Sequence, residues 1–167
     1  MAVTVTVGGA GSDSYATLAE YQTYALEIHN DAFTGHGHDA QHEAELRMAA
    51  RYLDTFYKWP GSTRYQAQAR AWPRLQELVV DGWPVPIDTI PQAIKDAQCE
   101  IAYQIHQGAT PFATIDAGAA IREKVDVIEV EYAPGTARNR PAFQAADRMV
   151  ADYTMGKSGL GLVKVLR

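Results

Sequence analysis

Cys99 is the only thiol in 167 residues, so no internal disulfide can form, and a lone cysteine fits a reducing compartment. No apolar run approaches the roughly 20 residues that a membrane-spanning helix needs. The amino-terminal MAVTVTVGGAGSDSY has neither the basic start nor the apolar centre of a signal peptide. These absences set the expectation of a soluble, non-membrane protein made in the cytoplasm of a cell. A basic surplus is missing too: 15 Lys and Arg stand against 20 Asp and Glu, a net charge of −5. Proteins that grip phosphates through counterion release carry such a surplus, so the acidity counts against that task without excluding a local basic patch. Also missing are a glycine-rich phosphate loop with its lysine, a GxSxG elbow and an HExxH pair. Nothing in the residues points to an enzyme or to a cofactor.

What remains has the mix of an ordinary globular domain, 47% hydrophobic and 21% charged, and a length that suits one core rather than two. AVTVTV reads as a short strand or extended arm, closed by GGAG. Thr17 and Glu20 have capping-box spacing, which starts a helix at Leu18 with Leu18, Tyr21, Ala25 and Ile28 on its apolar face. A polar loop, HNDAFTGHGHDA, leads to a second helix from about Ala40 to Tyr57, with Asp39 as N-cap and a stripe of Met48, Ala49, Tyr52, Leu53 and Phe56. TRYQAQARAW is read as a short helix, and DGWPVPIDTIP as a proline-rich connection with little regular structure. Asp88 and Thr89 offer caps, Pro91 a first turn and Gly108 a stop for the most regular helix, on which Ile90, Ile94, Ala97, Ile101 and Ile105 recur. IREKVDVIEVEYA alternates as a strand or hairpin, with Glu129 and Glu131 on one side and Ile128, Val130 and Tyr132 on the other. Pro141 opens a last helix carrying Phe143, Ala146, Met149, Val150 and Tyr153. The expected fold is mainly α: a small bundle of about four helices with a β insertion and extended arms at both ends. One domain covers 1–156 and an extended arm covers 157–167.

Two constellations invite chemistry. His36, His38 and His42, with Asp39 or Glu43, have the density of a zinc site, which would make a metal-dependent enzyme one class to weigh. No cysteine lies nearby to complete a structural site, so a solvated His-rich loop is the plainer account and no metal is assigned. Cys99 reads as a small buried hydrophobe, and His106 as a cation at a helix C-terminus. The other constellation is YLDTFYKWPGSTRYQAQARAWPR, Tyr52 to Arg74. Arg64, Arg70 and Arg74 with Trp59, Tyr65 and Trp72 have the composition of a stacking platform for single-stranded nucleic acid. Tyr52 and Phe56 already fall on a helix stripe, however, and both tryptophans precede a proline, where a bulky ring packs over a helix corner.

GSDSYATLAEYQTY, AARYLDTFYKWPG, QARAWPR, IPQAIKDAQCEIAYQ and EKVDVIEVEYA occur in an order and spacing that resemble the head–tail adaptor (connector) proteins of tailed bacteriophages. Relatives of that family are also catalogued as DnaT-like single-stranded-DNA-binding proteins. The resemblance runs from about Ser12 to Arg167; the His-rich loop and a longer stretch between AWPR and IP depart from it. It implies a structural virion protein at the head–tail junction. About twelve copies would form a homo-oligomeric ring that joins the portal protein to the next neck or tail component, a stopper or tail terminator. Double-stranded DNA would cross the ring without sequence-specific binding, past a wall that includes Glu129 and Glu131. The C-terminal arm, through Leu160, Leu162, Val163, Lys164, Val165, Leu166 and Arg167, would reach the portal. Its eleven residues from Lys157 span about 36 Å when extended. Subunit contacts are expected at Val125, Val127, Ile128, Val130 and Tyr132, with Arg64, Arg70 and Arg74 pairing to acidic faces of neighbours. The competing expectation is a single-stranded-DNA-binding protein that uses residues 52–74.

Overall fold

A computed structural model describes residues 2–33, 38–112, 122–125, 128–131 and 143–155. It is mainly helical, with helices α1 (Leu18–His29), α2 (Asp39–Phe56), α3 (Gln92–His106) and α4 (Gln144–Met149). A 3-10 turn at Ala151–Tyr153 extends α4. Two small antiparallel hairpins complete it: β1 (Leu78–Val80) with β2 (Trp83–Val85), and β3 (Arg122–Val125) with β4 (Ile128–Glu131). α3 is central and packs against α1, α2 and α4. No helix among the described residues is long and apolar enough to cross a membrane.

The expected capping box is present. Thr17 Oγ1 accepts from the Glu20 amide at 3.2 Å, and the Glu20 carboxylate accepts from the Thr17 amide at 2.6 Å, which satisfies two of the donors a helix start leaves open. Tyr21 and Ala25 are fully buried, but Ile28 is 62% exposed. The inward position of that last turn goes to His29 instead. Its Nε2 lies 2.8 Å from Glu100 Oε2, and its ring stacks on Tyr103 at 3.8 Å.

On α2 the cap position is His38, which makes no side-chain cap bond, so Asp39 sits in the first turn rather than before it. There its charge faces the positive end of the helix dipole. Ala49, Tyr52 and Leu53 are buried as expected, while Met48 is exposed. The buried stripe also takes in His42, Glu43 and Glu45, which polarity alone would place in water. α3 begins after Pro91, but neither Asp88 nor Thr89 caps it. Thr89 donates to the Pro86 carbonyl at 3.2 Å, and Asp88 receives Arg64 at 3.0 Å. Ile94, Ala97 and Ile101 are fully buried, so the helical period read from the sequence is the one that packs.

Two connections differ from expectation. Residues of TRYQAQARAW form no helix. Their backbone groups pair across a closed loop instead of along a helical turn: the Arg64 amide donates to the Pro73 carbonyl at 3.0 Å and the Leu75 amide to Ser62 at 2.9 Å. The Trp72–Pro73 peptide in this loop is cis. DGWPVP, read as irregular, instead contains the β1–β2 turn. Asp81 and Gly82 both have positive φ, 51° and 85°, the geometry of the two-residue turn that suits strand twist. Pro84 fits because a strand at the edge of a two-stranded sheet needs no donor on its outer side.

AVTVTV forms no strand among the described residues; it runs extended and folds back on its own chain. The Asp13 amide donates to the Thr4 carbonyl at 3.0 Å, and the Thr4 amide donates to Asp13 Oδ1 at 2.7 Å. Gly8, at φ +69°, makes the reversal close against the Tyr65 ring, where a Cβ would come within 2.3 Å. Pro141 and the arm 157–167 lie outside the described residues.

Candidate functional site

Most of the large rings of the stretch 52–74 are built into the core. Tyr52 and Leu53 are fully buried, Trp59 is 7% and Trp72 2% exposed. The two indoles meet edge to face at 5.8 Å, and Trp72 meets Tyr153 of the 3-10 turn in the same way at 6.1 Å. They therefore close the corner between the end of α2 and the end of α4, and no base can stack on them from outside.

Its arginines are engaged within the chain. Arg70 Nη1 lies 3.1 Å from Asp54 Oδ2. The other oxygen of Asp54 accepts from the Tyr15 hydroxyl and the Ala71 amide. Burial raises the Asp54 carboxyl above its ordinary range, with these donors and Arg70 acting in the opposite direction. Arg74 donates to four backbone carbonyls, of Trp59, Pro60, Gly61 and Ala71, which gives the loop the partners that a helix or sheet would supply. Arg64 pairs with Asp88 at 3.0 Å and sits 5.6 Å over the ring of Tyr65, which is 44% exposed.

Val125, Ile128, Glu129, Val130 and Glu131 lie on the β3–β4 hairpin, whose register sets Glu129 opposite Lys124 and Glu131 opposite Arg122. Val127, Tyr132, Leu160, Leu162, Val163, Lys164, Val165, Leu166 and Arg167 lie outside the described residues. The exposed side chain that sequence reasoning passed over is Trp83, 77% exposed beside the β1–β2 turn. It shares a hairpin face with Leu78 and Val85, which pack on the core, but stands one step beyond their support. The Asp-Gly turn signal would have found the hairpin and thereby the position of this ring.

The histidines regroup. His36 lies outside the described residues and His38 is exposed. His42 is 3% exposed and meets Glu45, one turn on along α2, and His106, the last residue of α3. His106 Nδ1 is 3.1 Å from Glu45 Oε1. The same carboxylate accepts from Gln41 at 2.9 Å and from the Tyr21 hydroxyl at 3.3 Å. Burial lowers the His42 pKa and, together with Glu45, pushes the Tyr21 phenol well up. Cys99 is buried, as expected, and burial pushes its thiol up as well, which makes it a poor nucleophile.

Fold and surface together define a small helical domain with its aromatic cluster turned inward. The family model described as "Putative DnaT-like ssDNA binding protein" matches residues 1–167, and the chain belongs to that family. No curated protein and no solved structure matches it.

Proposed function

We propose that this protein is a head–tail adaptor of a tailed bacteriophage: a virion subunit that assembles as a ring between the portal protein and the next neck component, around the path of the DNA. The observation that carries this reading is the internal use of Trp59, Trp72, Arg70 and Arg74 within residues 52–74. A nonspecific single-strand binder needs exposed rings beside free cations. Here Trp59 and Trp72 are buried, Arg70 is paired with Asp54 and Arg74 is spent on carbonyls. The described surface instead keeps apolar side chains that a neighbour can cover, Leu26 and Ile28 on α1 and Val79 and Trp83 on the β1–β2 hairpin. The net charge of −5 suits a channel that must not hold DNA. The order of segments that resembles adaptors supports it further. The C-terminal arm remains the proposed contact with the portal.

The test is electron microscopy of the purified protein with the portal protein of the same phage. Ring density beneath the portal is expected with the full chain and not with a chain ending at Gly156. No density with either chain refutes the adaptor reading.

A second reading, binding of single-stranded DNA, is favoured by the family description and by the exposed Tyr65 with Arg64 over its ring. It predicts oligonucleotide affinity that falls steeply with salt and is lost in Tyr65→Ala. Trp72→Ala would not test it, because that ring belongs to the core.

A further inference from the structure

We propose that His42, Glu45 and His106 form a binding site for a divalent transition cation of the zinc class, clamping α2 to the end of α3. His42 and Glu45 are three residues apart on α2 and therefore share a face. His106 ends α3 against that face. One ligand atom from each residue lies within 4.8 Å of the other two. In a tetrahedral site with bonds of about 2.0–2.2 Å, adjacent ligand atoms stand about 3.3 Å apart. The edge from His106 Nδ1 to Glu45 Oε1 is already 3.1 Å. The widest edge has to close by about 1.5 Å to reach that spacing, which a small rotation of a ring provides.

A second observation, independent of the spacing, points to a missing ligand. His42 is 3% exposed, and its Nδ1 is buried with no hydrogen-bond partner among the described residues. An imidazole nitrogen sealed from water and left unbonded costs free energy. Nothing in the hydrophobic packing requires a histidine there, since the Phe33 ring lies 4.2 Å from it and Tyr21 stands on edge at 6.0 Å. A cation bound at Nδ1 removes that cost.

The surroundings also suit a metal. Gln41 and the Tyr21 hydroxyl hold the Glu45 carboxylate from outside the triad, as outer partners do in metal centres. Phe33 borders both imidazoles, 4.2 Å from His42 and 5.1 Å from His106. Two imidazoles and one carboxylate favour zinc or cobalt over magnesium or calcium, and three protein ligands leave a coordination position open to water. The account without a cation leaves His106 hydrogen-bonded to Glu45 and His42 Nδ1 without a partner among the described residues.

The full chain, stripped with a chelator, is titrated with Co²⁺ and followed by its visible absorption, with zinc competition to give the affinity. One equivalent per chain at micromolar affinity or better is expected, together with a rise in Tm on adding zinc. His42→Gln, Glu45→Gln and His106→Gln each weaken binding by about tenfold or more, whereas His36→Asn/His38→Asn leaves it unchanged. His106→Gln lies at a half-exposed helix end and reports on binding even where a core variant fails to fold. Absence of a stoichiometric Co²⁺ spectrum in the wild-type chain overturns the proposal. Binding that survives His106→Gln and vanishes in His36→Asn/His38→Asn overturns it equally, by placing the metal on the exposed loop.

Discussion

Gln98 offers the sharpest test of how this fold is held. It is fully buried on α3 and makes four hydrogen bonds to two separate parts of the chain. Its Oε1 accepts from the amides of Tyr15 at 2.8 Å and Ala16 at 2.9 Å. Its Nε2 donates to Ser14 Oγ at 2.7 Å and to the Leu46 carbonyl of α2 at 2.8 Å. Gln98→Leu keeps much of the volume but leaves two buried amides and one buried carbonyl without this partner; Ser14 Oγ still donates to the Ala16 carbonyl. Each orphaned amide costs about 1–3 kcal/mol, whereas the Leu46 carbonyl, inside α2, keeps its helical hydrogen bond. Because the Tyr15 and Ala16 amides are adjacent in one segment that can shift, a total of about 2–4 kcal/mol is expected rather than the full sum. That is a large part of the roughly 5–15 kcal/mol by which a domain is stable. Urea unfolding followed by circular dichroism should show the midpoint fall with the slope unchanged. Gln98→Glu separates the contributions. At neutral pH it buries a charge and loses the donor, whereas its protonated form is neutral and restores one of the two donated bonds, so its deficit should shrink as the pH falls. A loss below about 1 kcal/mol in Gln98→Leu would refute the idea that this amide joins the N-terminal segment to the helices.

Glu100 supplies a pH prediction. Burial alone would raise its carboxyl, but hydrogen bonds from Gln104, His29 and Tyr24 hold it below the ordinary range. A depressed carboxyl contributes stability above its unfolded pKa and loses it as pH falls through the folded value. Acid unfolding below about pH 5 should therefore be less steep in Glu100→Gln than in the wild type, and identical slopes would refute the assignment. Trp83→Ala should change stability by no more than about 0.5 kcal/mol, because the ring is 77% exposed. The same variant should lose ring assembly in electron micrographs if the hairpin is a subunit contact; unaltered rings would remove Trp83 from that role.

The helices were legible where local chemistry and packing agree. Thr17 and Glu20 marked the start of α1, and Ile94, Ala97 and Ile101 marked the buried face of α3, although Ile90, read on the same stripe, precedes that helix. The misses have a common cause: a side chain's destination was set by a distant partner. Ile28 faces water because His29 finds Glu100, 71 residues on. Asp88 caps nothing because Arg64 reaches it first. The β1–β2 hairpin is a different kind of miss, since Asp81-Gly82 carries the turn signal in plain form and the neighbouring prolines masked it.

The candidate sites show the same limit from the side of function. His38 and His42 keep their rings 6.2 Å apart, but His38 stays exposed while His42 turns inward one helical turn from Glu45, and only tertiary packing supplies His106, 61 residues away from Glu45. No spacing rule within one helix could have paired them. The stretch 52–74 misleads in the opposite direction. A planar cation beside aromatic rings is the chemistry of stacking on bases, but it is also what a loop without regular structure requires. Arg74 carries enough donors to serve four carbonyls at once, and large rings close a corner that two prolines force open. Composition cannot separate these uses, because both draw on the same donors and the same faces. Burial separates them: a ring at 2% exposure serves the fold, and any affinity for nucleic acid must come from residues such as Tyr65 that remain outside.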